Sequence, residues 1–323
     1  MKLIVTGGSG FIGSNFIDYW LSNHPDDKIT NIDKLTYASN PWFNRFAAMS
    51  RNYRFKKIDI SNRSEIVEAF DDAEVVVNFA AESHVDRSIT DPGEFIKSNI
   101  FGVYNLLEMA REKDFRFHQV STDEVYGSLD SLNSPSFTEE SAYNPRNPYS
   151  ATKASADFLV RSYVNTYGIK ATISNCGNNF GPHQHPEKLI PKTIISALNN
   201  SKIYVYGNGQ QIRDWVFVED HCSAIEAILC RGKVGKTYLI GASNEIRNID
   251  LVKKILGILH KEQKLIEFVN DRPGHDIRYS LLPEKIKQEL GWRPKHSFDE
   301  ALATTMEHYK NNIHVYEKMI TAK

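Results

Sequence analysis

A glycine-rich turn near the amino terminus constrains the fold of this chain more than any other feature. The apolar run Lys2–Thr6 leads into residues 7–13, which satisfy G-x-G-x-x-G from Gly8 and G-x-x-G-x-x-G from Gly7. A helical pattern over residues 13–23 follows at once. In such a strand–turn–helix, missing Cβ atoms let a pyrophosphate approach the backbone, and free N–H groups at the helix start bind it. The turn therefore predicts a dinucleotide site.

A carboxylate in the expected place supports this prediction. Asp33 closes the second predicted strand, 20 residues after Gly13. There it would accept hydrogen bonds from the adenosine ribose and repel a 2′-phosphate, so NAD is favoured over NADP. The alternative is that Asp33 only caps a turn. Asp59 and Ile60, at the end of a third strand, are expected to border the adenine, although Asp59 suits a turn equally well.

Strands and helices alternate over the first half of the chain. Strands are predicted at 2–6, 28–33, 54–59, 74–78 and 117–121, and helices at 13–23, 100–113 and from Tyr149. This order predicts an α/β fold, a Rossmann-type doubly wound parallel sheet. Proline and glycine punctuate the second half, where helices are predicted at 189–198, 219–230, 249–260, 283–290 and 298–311. We assign 1–175 to an NAD-binding domain, with 213–243 returning to it, and 176–212 and 244–323 to a smaller, mostly helical substrate domain.

Composition excludes several classes of protein. The net charge is -1 with scattered lysines and arginines, so no basic field for nucleic acid is expected. The longest apolar runs are too short to cross a bilayer, which predicts no membrane partner. Three cysteines without a CxxC pair favour buried thiols in a reducing, cytoplasmic compartment. His183 and His185 have no third ligand at a suitable spacing, so no metal site is predicted.

Tyr149 and Lys153 have the YxxxK spacing on a predicted helix, which Asn147 and Pro148 precede as N-cap and first residue. Side chains four residues apart share one helix face. A neighbouring ammonium favours the phenolate, so we expect Lys153 to lower the pKa of Tyr149 from its ordinary value of about 10. An isolated pair is equally typical of a surface helix. Together with the dinucleotide motif, it indicates carbonyl–alcohol redox chemistry.

Thr122, Asp123 and Glu124 directly follow the apolar strand predicted at 117–121. Ligands of open parallel sheets bind at the carboxyl ends of strands. There Thr122 would bond a sugar hydroxyl beside Tyr149, and two neighbouring carboxyls would have their pKa values pushed apart, one serving as acid and the other as base. The alternative is an exposed acidic pair in a turn.

Because it contains these motifs, the chain resembles the extended short-chain dehydrogenase/reductase family and, within that family, the branch that dehydrates dTDP-glucose. The similarity extends nearly end to end, through segments 7–14, 33–38, 80–88, 121–127, 178–179, 186–191, 213–221 and 271–276. Members that epimerise or decarboxylate share the glycine turn and YxxxK. They typically lack the Asp123-Glu124 pair, which is therefore the distinguishing feature.

The resemblance implies a three-part reaction that leaves a 4-keto-6-deoxy sugar. Tyr149 would take the proton of the 4-hydroxyl while a hydride passes from carbon 4 to NAD. Glu124 would remove the hydrogen of carbon 5 as Asp123 protonates the departing 6-hydroxyl. The hydride would then return to carbon 6 while Glu124 reprotonates carbon 5, so the cofactor is regenerated in place.

The motifs and the resemblance together assign residues to both ligands. NAD would be held by Gly7, Gly10, Phe11, Ile12, Gly13, Asp33, Lys34, Leu35, Thr36, Asp59, Ile60, Phe79, Ala80, Ala81, Glu82, Ser83, Ser98, Tyr149, Lys153 and Asn179. The nucleotide sugar would be held by Ser83, Thr122, Asn178, Lys188, Leu189, Tyr204, Val205, Tyr206, Arg213, Asn248, Arg272, Pro273, Gly274, His275 and Asp276. The two arginines also suit diphosphate oxygens physically, although either alone would be read as a surface ion pair. The resemblance further implies a homodimer paired through the helices at 100–113 and 149–167.

Alternative functions remain open at this point. Thymine and uracil differ by one methyl group, whose contact discriminates by only about 1–3 kcal/mol, so UDP-glucose or another nucleotide sugar is a second possible substrate. A 4-epimerase is a third hypothesis, against which the Asp123-Glu124 pair argues. The non-enzyme alternative is an NAD-binding redox sensor. Loss of Tyr149, Lys153 or Glu124 would favour that alternative, and all three are present.

Overall fold

A computed structural model describes residues 1–70 and 72–321 of the protein. The strands are β1 (Lys2–Thr6), β2 (Lys28–Asp33), β3 (Tyr53–Lys57), β4 (Val75–Asn78), β5 (Arg116–Thr122), β6 (Ala171–Cys176), β7 (Asn178–Phe180), β8 (Ile203–Tyr206), β9 (Ile212–Phe217), β10 (Thr237–Ile240), β11 (Glu245–Arg247) and β12 (Ile266–Val269). The helices are α1 (Phe11–Asn23), α2 (Arg63–Ile66), α3 (Val85–Thr90), α4 (Pro92–Phe95), α5 (Gly102–Lys113), α6 (Pro148–Tyr167), α7 (Leu189–Leu198), α8 (Val218–Arg231), α9 (Asn248–Ile258), α10 (Glu284–Leu290), α11 (Phe298–Asn311) and α12 (Ile313–Thr321).

Seven parallel strands form the central sheet in the order β10-β6-β5-β4-β1-β2-β3. The strand order reverses between β1 and β4, and ligands of open α/β sheets bind at such a switch point, beyond the carboxyl ends of the strands. The predicted fold class is confirmed. The glycine turn after β1 and the catalytic motif after β5 thus lie on the same edge of one sheet.

Helices cover both faces of this sheet. Leu3 and Val5 of β1 point into one buried cluster with Phe16 and Trp20, whereas Ile4 points into another with Leu106. Successive strand side chains face opposite sides, so both sets are apolar and the strand is an uninterrupted hydrophobic run. Packing on two sides fixes the strand ends that carry the functional residues.

The second half of the chain contains short strands as well as the predicted helices. β9 lies between β11 and β7 in a three-stranded sheet, and β8 pairs with β12. The chain returns to the central sheet through α8 and β10, and β10 pairs with β6. The domain boundaries given above stay a prediction. Within residues 213–243, β10 belongs to the central sheet, whereas β9 belongs to the three-stranded sheet.

Cys176 and Cys222 are buried free thiols, but Cys230 is exposed at the end of α8, so the prediction of buried thiols is wrong for Cys230. Across residues 1–70 and 72–321, none of the helices has the length and apolar character needed to cross a bilayer.

Candidate active site

A deep cleft opens along the carboxyl edge of the central sheet. It is lined by eighteen of the predicted cofactor residues: Gly7, Gly10, Phe11, Ile12, Gly13, Asp33, Lys34, Thr36, Asp59, Ile60, Phe79, Ala80, Ala81, Glu82, Ser83, Ser98, Tyr149 and Lys153. Residues from the ends of β1, β2, β4 and β5 therefore share one cavity. Ile32, Ala38, Ser39, Ile58, Val120, Ser121, Gln184, His185 and Glu187 also line it and were not predicted.

The glycine turn leaves room where a side chain would collide with the backbone. Gly7 has a φ of +70°, and a Cβ there would lie 2.6 Å from the backbone nitrogen of Ala80. A Cβ on Gly13 would lie 2.4 Å from the carbonyl oxygen of Gly7. No side chain caps α1 at Gly10, so N–H groups of its first turn are available to an anion. This cradle fits the pyrophosphate of a dinucleotide.

Asp33 is held rigidly at the end of β2. Its Oδ1 accepts hydrogen bonds from the N–H of Leu35 at 2.8 Å and from the hydroxyl of Ser39 at 2.9 Å, while Oδ2 accepts only the N–H of Ser9, at 3.0 Å. Leu35, a predicted cofactor residue, does not line the cleft, and its backbone N–H orients Asp33 instead. Burial raises the pKa of Asp33, and these donors oppose that rise. Oδ2 keeps the greater acceptor capacity for a ribose hydroxyl.

Tyr149 and Lys153 lie on the first turns of α6, which Asn147 and Ser150 start with reciprocal capping bonds. The Lys153 ammonium donates to the carbonyl oxygen of Val120 at 2.7 Å, and burial lowers its pKa to about 8. Burial raises the pKa of Tyr149, and Glu124 acts in the same direction. We predicted that Lys153 would lower the pKa of Tyr149. This prediction is wrong for the protein without its cofactor, in which the pKa of Tyr149 is raised. Desolvation of the buried phenol is the largest influence on this pKa, and the negative charge of Glu124 is the next.

The acidic pair begins a 3-10 turn, Asp123–Tyr126, directly after β5. The Thr122 hydroxyl accepts the N–H of Glu124 at 3.3 Å and donates to Asp123 Oδ1 at 3.2 Å. Asp123 is 1% exposed, and burial followed by the charge of Glu124 raises its pKa well above the ordinary range. Glu124 is half-buried and accepts the side-chain amide of Asn147 at 3.3 Å. The alternative of an exposed acidic turn is thus wrong for Asp123, whose burial beside a second carboxyl favours its protonated form.

Asp157, one turn beyond Lys153 on α6, was missed by the sequence analysis. Its Oδ2 accepts the hydroxyls of Ser121 at 2.8 Å and Tyr143 at 3.0 Å and the amide of Asn175 at 3.2 Å. Its charge opposes the lowering of the pKa of Lys153. The i,i+4 spacing from Lys153 was the available signal, since it places the carboxylate on the same helix face.

Basic residues predicted for the nucleotide sugar converge on the acidic pair. Lys188 lines the cleft and donates to the carbonyl oxygen of Ser83 at 3.1 Å. Burial lowers the pKa of Lys188, and the negative charge of Glu124 opposes this lowering. Arg213 is buried on β9, and its charge opposes the rise in the pKa of Asp123. Arg272 lies 3.7 Å from Asp86 and also lowers the pKa of Lys188. Lys188 and Arg213 therefore lie near the two carboxyls, and Arg272 lies near Lys188.

Other predicted substrate residues surround this region. Tyr204 and Tyr206 are exposed on β8, and the Tyr206 hydroxyl donates to Asp86 at 3.0 Å. Asn178 begins β7 and Asn248 begins α9, and each has a buried side-chain oxygen without a hydrogen-bond partner among the described residues. Residues 272–276 form one loop, in which Pro273 and Gly274 precede His275 and Asp276. The carbonyl oxygen of Asp276 accepts Arg213 at 3.0 Å.

Three predicted side chains point elsewhere. The Asn179 amide donates to the Cys176 sulfur at 3.0 Å and the carbonyl oxygen of Gly177 at 3.1 Å, so it supports the strand end and lies outside the cleft lining. Val205 is buried in a hydrophobic cluster under β8, and Leu189 packs against that cluster from the start of α7. Strand alternation explains Val205, whose neighbours on β8 face outward.

Comparisons with known proteins agree with this geometry. The family model described as GDP-mannose 4,6 dehydratase matches residues 4–305. The dTDP-glucose 4,6-dehydratase of Mycobacterium tuberculosis is 44% identical over 313 residues, covering 97% of this chain and 94% of that protein. That of Haemophilus influenzae is 45% identical, covering 97% and 98%. A dTDP-glucose 4,6-dehydratase structure from Streptomyces venezuelae with NAD bound has a TM-score of 0.96 at 41% identity, covering 99% and 100%. A UDP-glucose 4-epimerase from Thermotoga maritima has a TM-score of 0.89 at 26% identity, covering 97% and 100%.

Replacing Asp33 with asparagine should lower affinity for NAD by about tenfold, because a neutral amide is a weaker acceptor than a carboxylate. The preference for NAD over NADP should narrow, since the charge that repels a 2′-phosphate is lost. Isothermal titration of nucleotide-free protein with each dinucleotide measures both effects. Asp59→Asn is the matched control, with a smaller expected loss because the Asp59 carboxylate caps its own turn through Ser61. Equal losses in the two variants would contradict the role of Asp33.

Proposed function

The chain belongs to the nucleotide-sugar dehydratase family, and we propose that it catalyses the NAD-dependent dehydration of dTDP-glucose to dTDP-4-keto-6-deoxyglucose. Relatives that are 44% and 45% identical over 97% of the chain carry the name dTDP-glucose 4,6-dehydratase. The observation that carries the proposal is the buried Asp123 beside Glu124 and Tyr149. Elimination of water needs an acid and a base on adjacent carbons, and this pair supplies both at one strand end.

In the first step Tyr149 receives the proton of the sugar 4-hydroxyl. NAD, when bound, supplies a hydride acceptor for carbon 4 and later a hydride donor for carbon 6. Its positive ring would also lower the pKa of Tyr149, which the protein groups alone leave raised. Lys153 is held in place by its hydrogen bond to the carbonyl oxygen of Val120, and it lines the same cleft as the predicted cofactor residues. The glycine turn would hold the pyrophosphate of the dinucleotide, and Asp33 would hold its adenosine ribose.

In the second step Glu124 takes the hydrogen of carbon 5, which the adjacent ketone has acidified, and Asp123 protonates the departing 6-hydroxyl. Asp123 suits the acid role because burial raises its pKa and so favours the protonated form. Its Oδ2 is buried and has no hydrogen-bond partner in the described part of the chain, so this oxygen has unused hydrogen-bonding capacity. In the third step Glu124 returns its proton to carbon 5 as carbon 6 receives the hydride.

The Glu124→Gln variant should oxidise carbon 4 but accumulate reduced cofactor, with dehydrated product falling by about a hundredfold or more, because an amide cannot take the carbon 5 proton. Tyr149→Phe is the matched comparison and should fail earlier, forming almost no reduced cofactor. Rapid-mixing absorbance of NADH and mass spectrometry of product separate the two blocks. Full turnover by Glu124→Gln would remove Glu124 from the base role.

Substrate identity is tested by incubating the protein with dTDP-glucose, UDP-glucose and GDP-mannose in turn, without added cofactor. We expect loss of one water from dTDP-glucose at the highest kcat/KM, measured by mass spectrometry of the quenched reaction. Conversion of UDP-glucose at a higher kcat/KM would shift the assignment to the uridine nucleotide. Epimerised hexose without loss of water would overturn the dehydratase assignment altogether.

We also propose a homodimer formed through α5 and α6, whose outward faces expose apolar side chains. Tyr104 on α5 is 40% exposed, and Phe158 and Tyr167 on α6 are 54% and 50% exposed. Phe158→Glu should convert the protein to a monomer in analytical ultracentrifugation, because the charge would be buried in the interface. Phe268→Glu is the control, since Phe268 is 56% exposed on β12, away from both helices. An unchanged mass for Phe158→Glu would contradict this interface.

A further inference from the structure

The proposed reaction leaves the enzyme with one proton on the wrong group after each turnover. Tyr149 gains the proton of the 4-hydroxyl and cannot return it, because the product keeps a ketone at carbon 4. Asp123 loses a proton to the departing water. Glu124 takes a proton from carbon 5 and gives it back, so its balance is zero. One proton must therefore pass from Tyr149 to Asp123 before the next substrate is processed.

The Thr122 hydroxyl lies between these two groups. It donates to Asp123 Oδ1 at 3.2 Å. It also lies within hydrogen-bonding reach of the phenol of Tyr149, whose pKa it lowers by acting as a donor to the phenolate. Because a hydroxyl has one donor and two acceptor sites, Thr122 can give its own proton to Asp123 and receive another from Tyr149. Its remaining contact, accepting the N–H of Glu124 at 3.3 Å, keeps the hydroxyl in this orientation.

We propose that Thr122 carries the proton from Tyr149 to Asp123 at the end of each catalytic cycle, an inference that rests on the proposed function. The O–H bond of Tyr149 breaks as one forms on Thr122, and the original O–H bond of Thr122 breaks as one forms on Asp123 Oδ1. A phenol and a carboxylate become a phenolate and a carboxylic acid. No oxidation state changes, no net charge moves into or out of the site, and no exchange with solvent is required.

The two oxygens of Asp123 suit this task. Oδ1 faces Thr122, whereas Oδ2 is buried without a hydrogen-bond partner among the residues that the structure describes. The terminal torsion of aspartate is broad and roughly two-fold, so a half-turn exchanges the two oxygens. A proton received at Oδ1 thereby moves to the position of the unpartnered Oδ2. An alternative route from Tyr149 would use Lys153, but this ammonium is directed at the Val120 carbonyl and makes no hydrogen bond to Asp123 among the described residues.

The experiment compares the first turnover with the steady state in NAD-loaded protein mixed with excess dTDP-glucose and quenched at short times. In Thr122→Val, Asp123 starts protonated, so about one product per active site should form. The steady-state rate should then fall on the order of tenfold below the first-turnover rate, because the acid is reloaded only through solvent. At constant pH, raising the imidazole buffer concentration should speed this variant and leave the natural protein unaffected.

Thr122→Ser is the conservative control and should restore the ratio of the two rates, since serine keeps both the hydroxyl and the cap. Retained NAD and the thermal unfolding midpoint establish that each variant is folded. Equal proportional losses in the first turnover and the steady state of Thr122→Val, with no buffer response, would overturn the relay. Absence of 4-keto product from the natural protein would instead refute the proposed function, and the relay with it.

Discussion

Desolvation at one edge of the parallel sheet is the physical constraint on which this site depends. Asp123, Tyr149, Lys153 and Asp157 are all buried where β5 ends and α6 begins, and in each of them burial is the largest influence on the pKa. Removing charged groups from water is costly, so such a cluster persists only when a rigid frame holds it. Seven strands packed on both faces provide that frame. The glycine turn brings the cofactor to the same edge.

Features of the site that are encoded locally were predictable from the sequence. The turn at residues 7–13, Asp33, and the Tyr149-Lys153 pair each combine a residue type with a spacing that only a few geometries satisfy. β1 and β2 were predicted with their observed bounds, because both are short runs rich in β-branched residues. The position of Asp123 and Glu124 followed from the strand before them.

Features that depend on distant contacts were not predictable. Ser39 donates a hydrogen bond to Asp33 within a loop. Asp157 accepts hydrogen bonds from residues of two strands and a further loop, and the side chain of Asn179 turns toward Cys176. The prediction for Tyr149 had the wrong sign because a spacing reveals a neighbouring charge but not the depth of burial. The strands of the second half are three to six residues long, too short for alternation to distinguish them from loops.

The raised pKa values of Asp123 and Tyr149 place opposite demands on one environment. A general acid must keep its proton until the 6-hydroxyl departs, and burial serves that need. A phenol that accepts a proton must first lose its own, and burial opposes that loss. The conflict disappears if the positive cofactor ring lowers the pKa of Tyr149 only while the cofactor is oxidised. The phenol would then be more acidic at the start of a cycle and more basic once the cofactor has taken a hydride. The acid that dehydration requires therefore lies in a short turn after β5, where the carboxyl of Asp123 is buried beside that of Glu124.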